Sequence, residues 1–114
     1  MRTVLHCLES TATAEAPPIL RFRGEIDLST EGQLQAALTA AVQRHSTLVL
    51  DLREVTFASV HGLQLVTAAG EGRRRGTTAL VGAPGTLRLL GILRFDGEIP
   101  CFETIDGACA AVAS

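Results

Sequence analysis

The sequence predicts an α/β domain built on a mixed, largely parallel sheet of four to five strands with about four helices. Segments with the composition of strands alternate with segments in which apolar residues have helical spacing, and this alternation favours parallel strands joined by right-handed crossovers. The run Thr47–Leu52 is almost continuously apolar, which is typical of a central strand covered on both faces. A length of 114 residues fits one domain, so we assign residues 1–114 to a single unit.

Two further strand patterns precede the central run. Thr3–Leu8 and Ile19–Arg23 are rich in apolar and β-branched residues, and the second pattern ends at Gly24. Residues 10–18 between them are rich in Thr, Ala and Pro, which is the composition of a flexible loop. The first two strands should therefore be joined by a mobile connection.

The first helix has a clear start and a clear apolar face. Thr30 followed by Gln33 is a capping-box pattern, in which each side chain satisfies a free backbone N–H of the other residue. The apolar residues that follow fall on one face of a helix and should pack on the core: Leu34, Ala37, Leu38, Ala41 and Val42.

The second half of the chain repeats the alternation. A loop over Arg53–Val60 should lead into a helix from about His61 to Arg75, where Gly76 ends it and Arg73–Arg75 complement the negative end of its dipole. The remaining elements are a buried strand, a helix opened by proline, a short strand and a closing helix: Thr78–Val81, Pro84–Arg94, Ile99–Phe102 and Thr104–Val112.

Composition excludes several classes of function. All ten basic residues are arginine and twelve are acidic, which gives a net charge of −2 and argues against nucleic acid as a partner. Without lysine the chain has no P-loop lysine and no Schiff-base amine, and a receiver-like phosphotransfer enzyme would also need one. Three cysteines without metal-like spacing predict no metal, no cofactor and a reducing cytoplasm. No segment is apolar enough for membrane insertion.

Three carboxylates require an explanation. Glu25 and Asp27 stand one residue apart before the first helix, but no nucleophile, metal ligand or proton relay accompanies them. We therefore expect them to stabilise the helix start or to contact a partner rather than to catalyse a reaction. Asp51 lies inside the apolar central strand and should accept hydrogen bonds from loop backbone near the end of the strand.

Several motifs together resemble the STAS domain family, whose single-domain members are bacterial anti-sigma factor antagonists. The match runs in order from Ile19 to Val112. Gly24–Leu28 match the family's Gly-Glu-hydrophobic-Asp-hydrophobic turn, and Leu48–Leu52 match its central strand. Val55–Ala58 with Gly62 and Leu63 match the loop into the second helix. Leu80–Gly82 match the next strand, and Ile99–Thr104 match the segment before the last helix. One departure is Arg94, which stands where the family usually has glycine before a hydrophobic-Asp pair, here Phe95 and Asp96.

The resemblance implies a non-enzymatic binding module that acts by partner switching. Such a domain docks on an anti-sigma factor with a kinase-like ATPase fold and so frees a sigma factor, and we expect a monomer or weak dimer. In regulated members the partner phosphorylates a serine at the start of the second helix, and the added charge breaks the complex. Two alternatives keep the fold but change the partner: an accessory subunit of a transport ATPase, or a scaffold in a sensory complex.

The phosphorylation motif departs from the family pattern. Aligned on Phe57 and Gly62, Ser59 takes the usual Asp position and Val60 takes the usual phosphoacceptor position, so that position cannot be phosphorylated. This leaves constitutive binding, regulation through another residue, or a different partner. Ser59 is the alternative phosphoacceptor, although a serine here is typical of a helix N-cap.

The predicted contact surface combines the turn before the first helix with the start of the second. His61 either contacts the partner or senses pH, or it is simply a solvated residue in the first turn. Val60 either forms part of the docking surface or turns inward. The predicted partner-binding residues are Glu25, Asp27, Ser59, Val60, His61 and Gly62.

Overall fold

The computed structural model describes residues 4–11, 15–74, 76–95, 97 and 99–112. This part of the chain forms five strands and four helices, and after the first two strands the helices and strands alternate. In chain order the elements are β1 (Leu5–Ser10), β2 (Ile19–Ile26), α1 (Glu31–Arg44), β3 (Leu48–Ala58), α2 (Val60–Ala68), β4 (Thr78–Val81), α3 (Pro84–Ile92), β5 (Cys101–Phe102) and α4 (Ile105–Ala111).

The strands form one mixed sheet whose spatial order follows the chain, β1-β2-β3-β4-β5. β1 pairs antiparallel with β2, and the other three pairings are parallel. α1, α2 and α3 connect the successive parallel strands, as crossovers must. The predicted α/β class with a largely parallel sheet is therefore confirmed.

The two faces of the sheet are covered differently. Successive residues of a strand point to opposite faces. Leu50 and its neighbours on one face pack in a large core cluster with Leu34 of α1, Leu63 of α2 and Leu90 of α3. Val49 faces the other way and joins a smaller cluster that includes Ala108 of α4. The predicted apolar face of α1 is confirmed, because its residues either lie in the large cluster or pack against it.

The central strands are longer than the sequence predicts. β2 continues past Gly24 to Ile26, and the segment Arg53–Ala58, predicted as loop, belongs to β3. Two register shifts explain the error: Arg21 pairs with Asp51 but Arg23 with Glu54, and a second shift follows Gly24. Each shift inserts an extra residue in β3, which interrupts the alternation of apolar and polar residues by which a strand is recognised.

The first connection also begins later than expected. β1 extends beyond Leu8 to Ser10, so Ser10 is part of a strand rather than of the loop predicted over residues 10–18. Residues 12–14 of that loop and Thr3 lie outside the described residues. Glu9 of β1 forms an ion pair with Arg44 and a hydrogen bond with His45 at the end of α1, which ties the edge strand to that helix.

The start of α1 differs in detail from the predicted capping box. Thr30 is the N-cap residue, but its side chain makes no capping bond to the helix. The Thr30 hydroxyl instead accepts from the Asp27 N–H at 3.0 Å and donates to the Glu25 carbonyl at 2.9 Å. Gln33 donates to the carbonyl of Leu5 at 2.7 Å, so both side chains join α1 to the strands.

The end of α2 is the largest correction to the helices. α2 ends at Ala68 rather than near Arg75. The N–H groups of Ala69, Gly70 and Glu71 bond to carbonyls three residues back, which tightens the chain, and Gly72 with φ +74° then takes it out of the helical conformation. Arg73 then binds the end of a different helix, since it donates to the carbonyls of Val42 and His45 at 3.0 and 2.9 Å. Its charge therefore complements the dipole of α1 and not that of α2. Arg75 lies outside the described residues.

Asp51 is fully buried and is held by two arginines. Its carboxylate accepts from the Arg21 side chain at 3.0 Å and from both the backbone and the side chain of Arg53 at 3.0 Å. The expected backbone donor therefore exists, but it lies in the same strand and not in a loop. Burial alone would raise the pKa of Asp51, but the hydrogen bonds from Arg53 and Arg21 outweigh it and lower that pKa.

We predict that Asp51→Asn lowers the free energy of unfolding by about 2 kcal/mol at neutral pH, because both arginines lose a charged acceptor. The pKa of Asp51 is lower in the folded than in the unfolded state, so its charge stabilises the fold above the unfolded-state pKa of about 4. That stabilisation is lost as the pH falls through the folded-state pKa. Urea unfolding of wild type and variant from pH 7 to pH 2 should show the two converging.

The exposed pair between Arg23 and Glu54 provides the control for Asp51. Glu54→Gln should change stability by less than about 1 kcal/mol at any pH, because water screens an exposed ion pair. A constant difference between wild type and Asp51→Asn across the pH range would contradict the assignment of the effect to the Asp51 charge.

α3 ends at Ile92, two residues before the predicted end, in a Schellman motif. Phe95 N–H donates to the Leu90 carbonyl at 2.9 Å and Arg94 N–H to the Gly91 carbonyl at 3.1 Å. Arg94 adopts the left-handed conformation that the motif requires, with φ +61°, and it is the one non-glycine residue with positive φ in the described chain. Asp96, the other half of the family's hydrophobic-Asp pair, lies outside the described residues.

We predict that Arg94→Gly stabilises the fold. A non-glycine residue in this conformation costs roughly 1–2 kcal/mol, and glycine removes that cost while adding some freedom to the unfolded chain. The net gain should be about 1 kcal/mol, seen as a rise of a few degrees in the thermal midpoint. Calorimetry of the two proteins tests this, and a lower midpoint for the variant would contradict it.

Candidate functional site

The turn before α1 and the start of α2 meet at the carboxyl ends of β2 and β3. Ile26 pairs with Ala58 at the last rung of the parallel ladder, and Ser59 N–H donates to the Ile26 carbonyl at 2.8 Å. Asp27 and Ser59 follow these strand ends directly. The two halves of the predicted contact surface are therefore neighbours in space.

The turn that enters α1 is shaped by Asp27. Its carboxylate accepts from the backbone N–H and the hydroxyl of Ser29 at 2.9 and 2.6 Å, and its carbonyl accepts from Thr30 and Glu31. Asp27 thus stabilises the helix start, one of the two roles expected for it. Glu25 and Leu28 on either side of it are exposed, and Leu28 is the most exposed large apolar residue described.

Ser59 is the N-cap of α2, as the sequence predicts. It has extended backbone angles, and its hydroxyl oxygen accepts from the Gly62 N–H at 3.0 Å. The same hydroxyl donates to Oε2 of Glu31 at 3.2 Å. Both hydrogen-bonding roles of the hydroxyl are therefore occupied within the fold.

Glu31 connects the two helix starts and was not predicted as a site residue. It is the first residue of α1, yet its second oxygen, Oε1, lies 2.7 Å from Nδ1 of His61 in the first turn of α2. α2 has no acidic residue in its own first turn, so Glu31 supplies negative charge to the positive ends of both helices. His61 is exposed, but it is paired with Glu31 and is therefore not simply a solvated residue. The sequence gives no sign of these contacts, because Glu31 is also a normal first-turn acid of α1.

Val60 does not turn inward. Its side chain is 55% exposed at the first position of α2, and Phe57 at the end of β3 is equally exposed. A shallow groove of about 110 Å³ lies next to Phe57 between β3, α2 and α3, with Leu63 and Leu89 among its apolar walls. We call Leu28, Phe57 and Val60 together the apolar rim of the site.

Gly62 is buried and brings α2 close to β2. A Cβ atom at this position would lie 2.2 Å from Cγ2 of Ile26 and 3.0 Å from the Ser59 hydroxyl. Ile26 is itself fully buried and cannot move aside easily. The contribution of Gly62 to the predicted surface is therefore to position its neighbours.

The residues described contain no group of three or more His, Cys, Asp or Glu side chains that could hold a metal ion. Ser59 is hydrogen-bonded as a cap, and Asp27 as part of a turn. Within the described ranges, no helix is both long enough and apolar enough to cross a bilayer.

The family comparison agrees with this architecture. A family model described as "Mlab, STAS domain" matches residues 9–102, which is most of the chain. The chain belongs to the STAS domain family. The resemblance drawn from its motifs is thereby confirmed.

Solved structures of other proteins are similar over nearly the whole chain. An anti-sigma factor antagonist from Mycobacterium paratuberculosis is 28% identical, with a TM-score of 0.84 over 96% of this chain and 94% of that one. The Bacillus cell fate determinant SpoIIAA in its phosphorylated form is 19% identical, with a TM-score of 0.62 over 95% of this chain and 100% of that one, and it supports the fold alone. No curated protein sequence matches the chain.

The packing of Gly62 leads to a testable prediction about the STAS site. Gly62→Ala should lower the free energy of unfolding by about 1–2 kcal/mol, because the overlap with Ile26 outweighs the better helix propensity of alanine. Gly32→Ala in the first turn of α1 is the matched control, since a Cβ there meets nothing within 4 Å, and it should stabilise the protein. Chemical unfolding of both variants measures the difference. Equal effects of the two substitutions would contradict the close approach of α2 to β2.

Proposed function

We propose that this STAS domain is an anti-sigma factor antagonist, a non-enzymatic module that binds a kinase-like anti-sigma factor and so releases a sigma factor. The observation that carries the proposal is the apolar rim at the start of α2, where Val60 is exposed beside a capped helix end. The similarity to an anti-sigma factor antagonist at 28% identity over nearly the full length supports the same partner class.

The rim has the composition of a protein-binding surface. Three large apolar side chains are exposed within two short segments that the strand ends hold side by side. Polar residues stand next to them in the same turn and helix starts, namely Glu25, Asp27 and the His61–Glu31 pair. Exposed apolar side chains flanked by polar ones are typical of a specific interface.

The same geometry argues for binding that phosphorylation does not switch off. Val60 has no hydroxyl, and the Ser59 hydroxyl already caps α2 and donates to Glu31. A phosphate on Ser59 would remove the proton that the hydroxyl donates to Glu31 and would place a charge of about −1.5 to −2 beside the Glu31 carboxylate, so the folded domain disfavours this modification. We therefore favour constitutive binding over regulation at Ser59.

The proposal is tested by affinity purification from the source organism with wild type and Val60→Asp, followed by mass spectrometry. Wild type should recover a small kinase-like ATPase, and Val60→Asp should not. A carboxylate buried in the interface without a partner should weaken binding by about 100-fold or more. Leu8→Asp is the matched control, because Leu8 is also about half exposed but lies on β1, away from the strand ends.

Two results would contradict the proposal. Recovery of a transport ATPase or of a sensory complex in place of the anti-sigma factor would favour the accessory-subunit or scaffold function. Equal recovery of the anti-sigma factor by wild type and Val60→Asp would place the contact surface elsewhere on the domain.

A further inference from the structure

A second surface adjoins the apolar rim on the far side of His61. It is a cleft of about 500 Å³ formed by the outer face of α2, the turn after it and the chain that follows α3. Its exposed polar walls are His61, Gln64, Glu71 and Arg94, and Phe95 is one of its apolar walls. His61 lines the cleft and directly follows Val60 of the apolar rim in α2, so the cleft adjoins the proposed binding site.

Arg94 is the unusual residue of this cleft. Its left-handed backbone would be adopted more easily by glycine, so an arginine here destabilises the fold. Within the described part of the chain its exposed guanidinium makes no hydrogen bond or ion pair that would offset this cost. The side chain instead lines the cleft, where its planar fork can bind a carboxylate through two parallel hydrogen bonds.

The other walls restrict what can occupy the cleft. Glu31 engages Nδ1 of His61, which leaves Nε2 as the ring nitrogen for an incoming group. Gln64 offers both a donor and an acceptor. The charge of Glu71 repels a small free anion. Glu71 instead favours a ligand that carries a carboxylate for Arg94 and, next to that carboxylate, a hydrogen-bond donor or a cation for Glu71 itself. A protein segment with mixed charges meets these conditions.

We propose that the cleft binds a segment of the anti-sigma factor that presents an acidic side chain to Arg94 and a hydrogen-bond donor to Glu71. This inference rests on the proposed function and extends its interface from the apolar rim across α2. Arg94 then contributes to partner specificity while it lowers the stability of the fold. Residues with strained backbone are often found at functional sites in proteins.

The experiment exploits the opposite effects expected on stability and on binding. The dissociation constant of the purified anti-sigma factor is measured by calorimetry for wild type, Arg94→Gly, Arg94→Gln and Arg88→Ala. Arg94→Gly should raise the thermal midpoint and yet weaken binding by about tenfold or more, which a purely structural residue would not do. Arg94→Gln retains a side chain at the left-handed position and should weaken binding to a similar extent.

Arg88 provides the matched control, because it is an exposed arginine of α3 that does not line the cleft. Arg88→Ala should leave the dissociation constant within about twofold of wild type. Raising the salt concentration should weaken binding by wild type more steeply than binding by Arg94→Gln, because one ion pair is missing in the variant.

The outcomes separate the two proposals. If both Arg94 variants bind as tightly as wild type while Val60→Asp does not bind, the cleft proposal is overturned and the proposed function stands. If wild type itself fails to bind the anti-sigma factor, the proposed function fails, and the cleft proposal fails with it.

Discussion

The parallel pairing of β2 with β3 is the constraint on which the rest of the structure depends. It brings the ends of the two central strands to the same level, so the turn into α1 and the start of α2 become neighbours. On its other side β2 pairs with β1, and Gly24 allows this close approach, since a Cβ there would lie 2.3 Å from the Val4 carbonyl oxygen just before β1. Gly62 allows α2 to rest on the Ile26 side chain at the end of β2. The site thus depends on close approaches that glycine permits.

Buried and partly buried charges are stabilised by partners, and several of these partners come from elements distant in sequence. Asp51 in the middle of the sheet is neutralised by Arg21 from the neighbouring strand and by Arg53 two residues on. Arg73 leaves the turn after α2 to bind the end of α1. Because the chain has no lysine, arginine supplies the cation in each of these contacts. The several N–H donors of one guanidinium allow it to bind more than one acceptor.

The fold class, the order of the elements and the apolar face of α1 could be predicted because each depends on local periodicity. The N-cap role of Ser59 could be predicted for the same reason, since a serine before a helix is a local pattern. The continuation of β3 to Ala58 could not, because two extra residues break the alternation that marks a strand. The partners of Arg73 and Glu31 could not either. Both bind groups about thirty residues away, and such pairing is decided only when the elements pack.

The double engagement of Glu31 has a consequence for how the domain meets other proteins. One carboxylate holds the cap of α2 and its first-turn histidine while it begins α1, so the two helix starts are fastened to each other. A surface fastened in this way is preorganised, and little side-chain or loop entropy remains to be lost when a partner arrives. Adaptation during complex formation must then come from the partner, which has to fit a shape that this domain presents in advance.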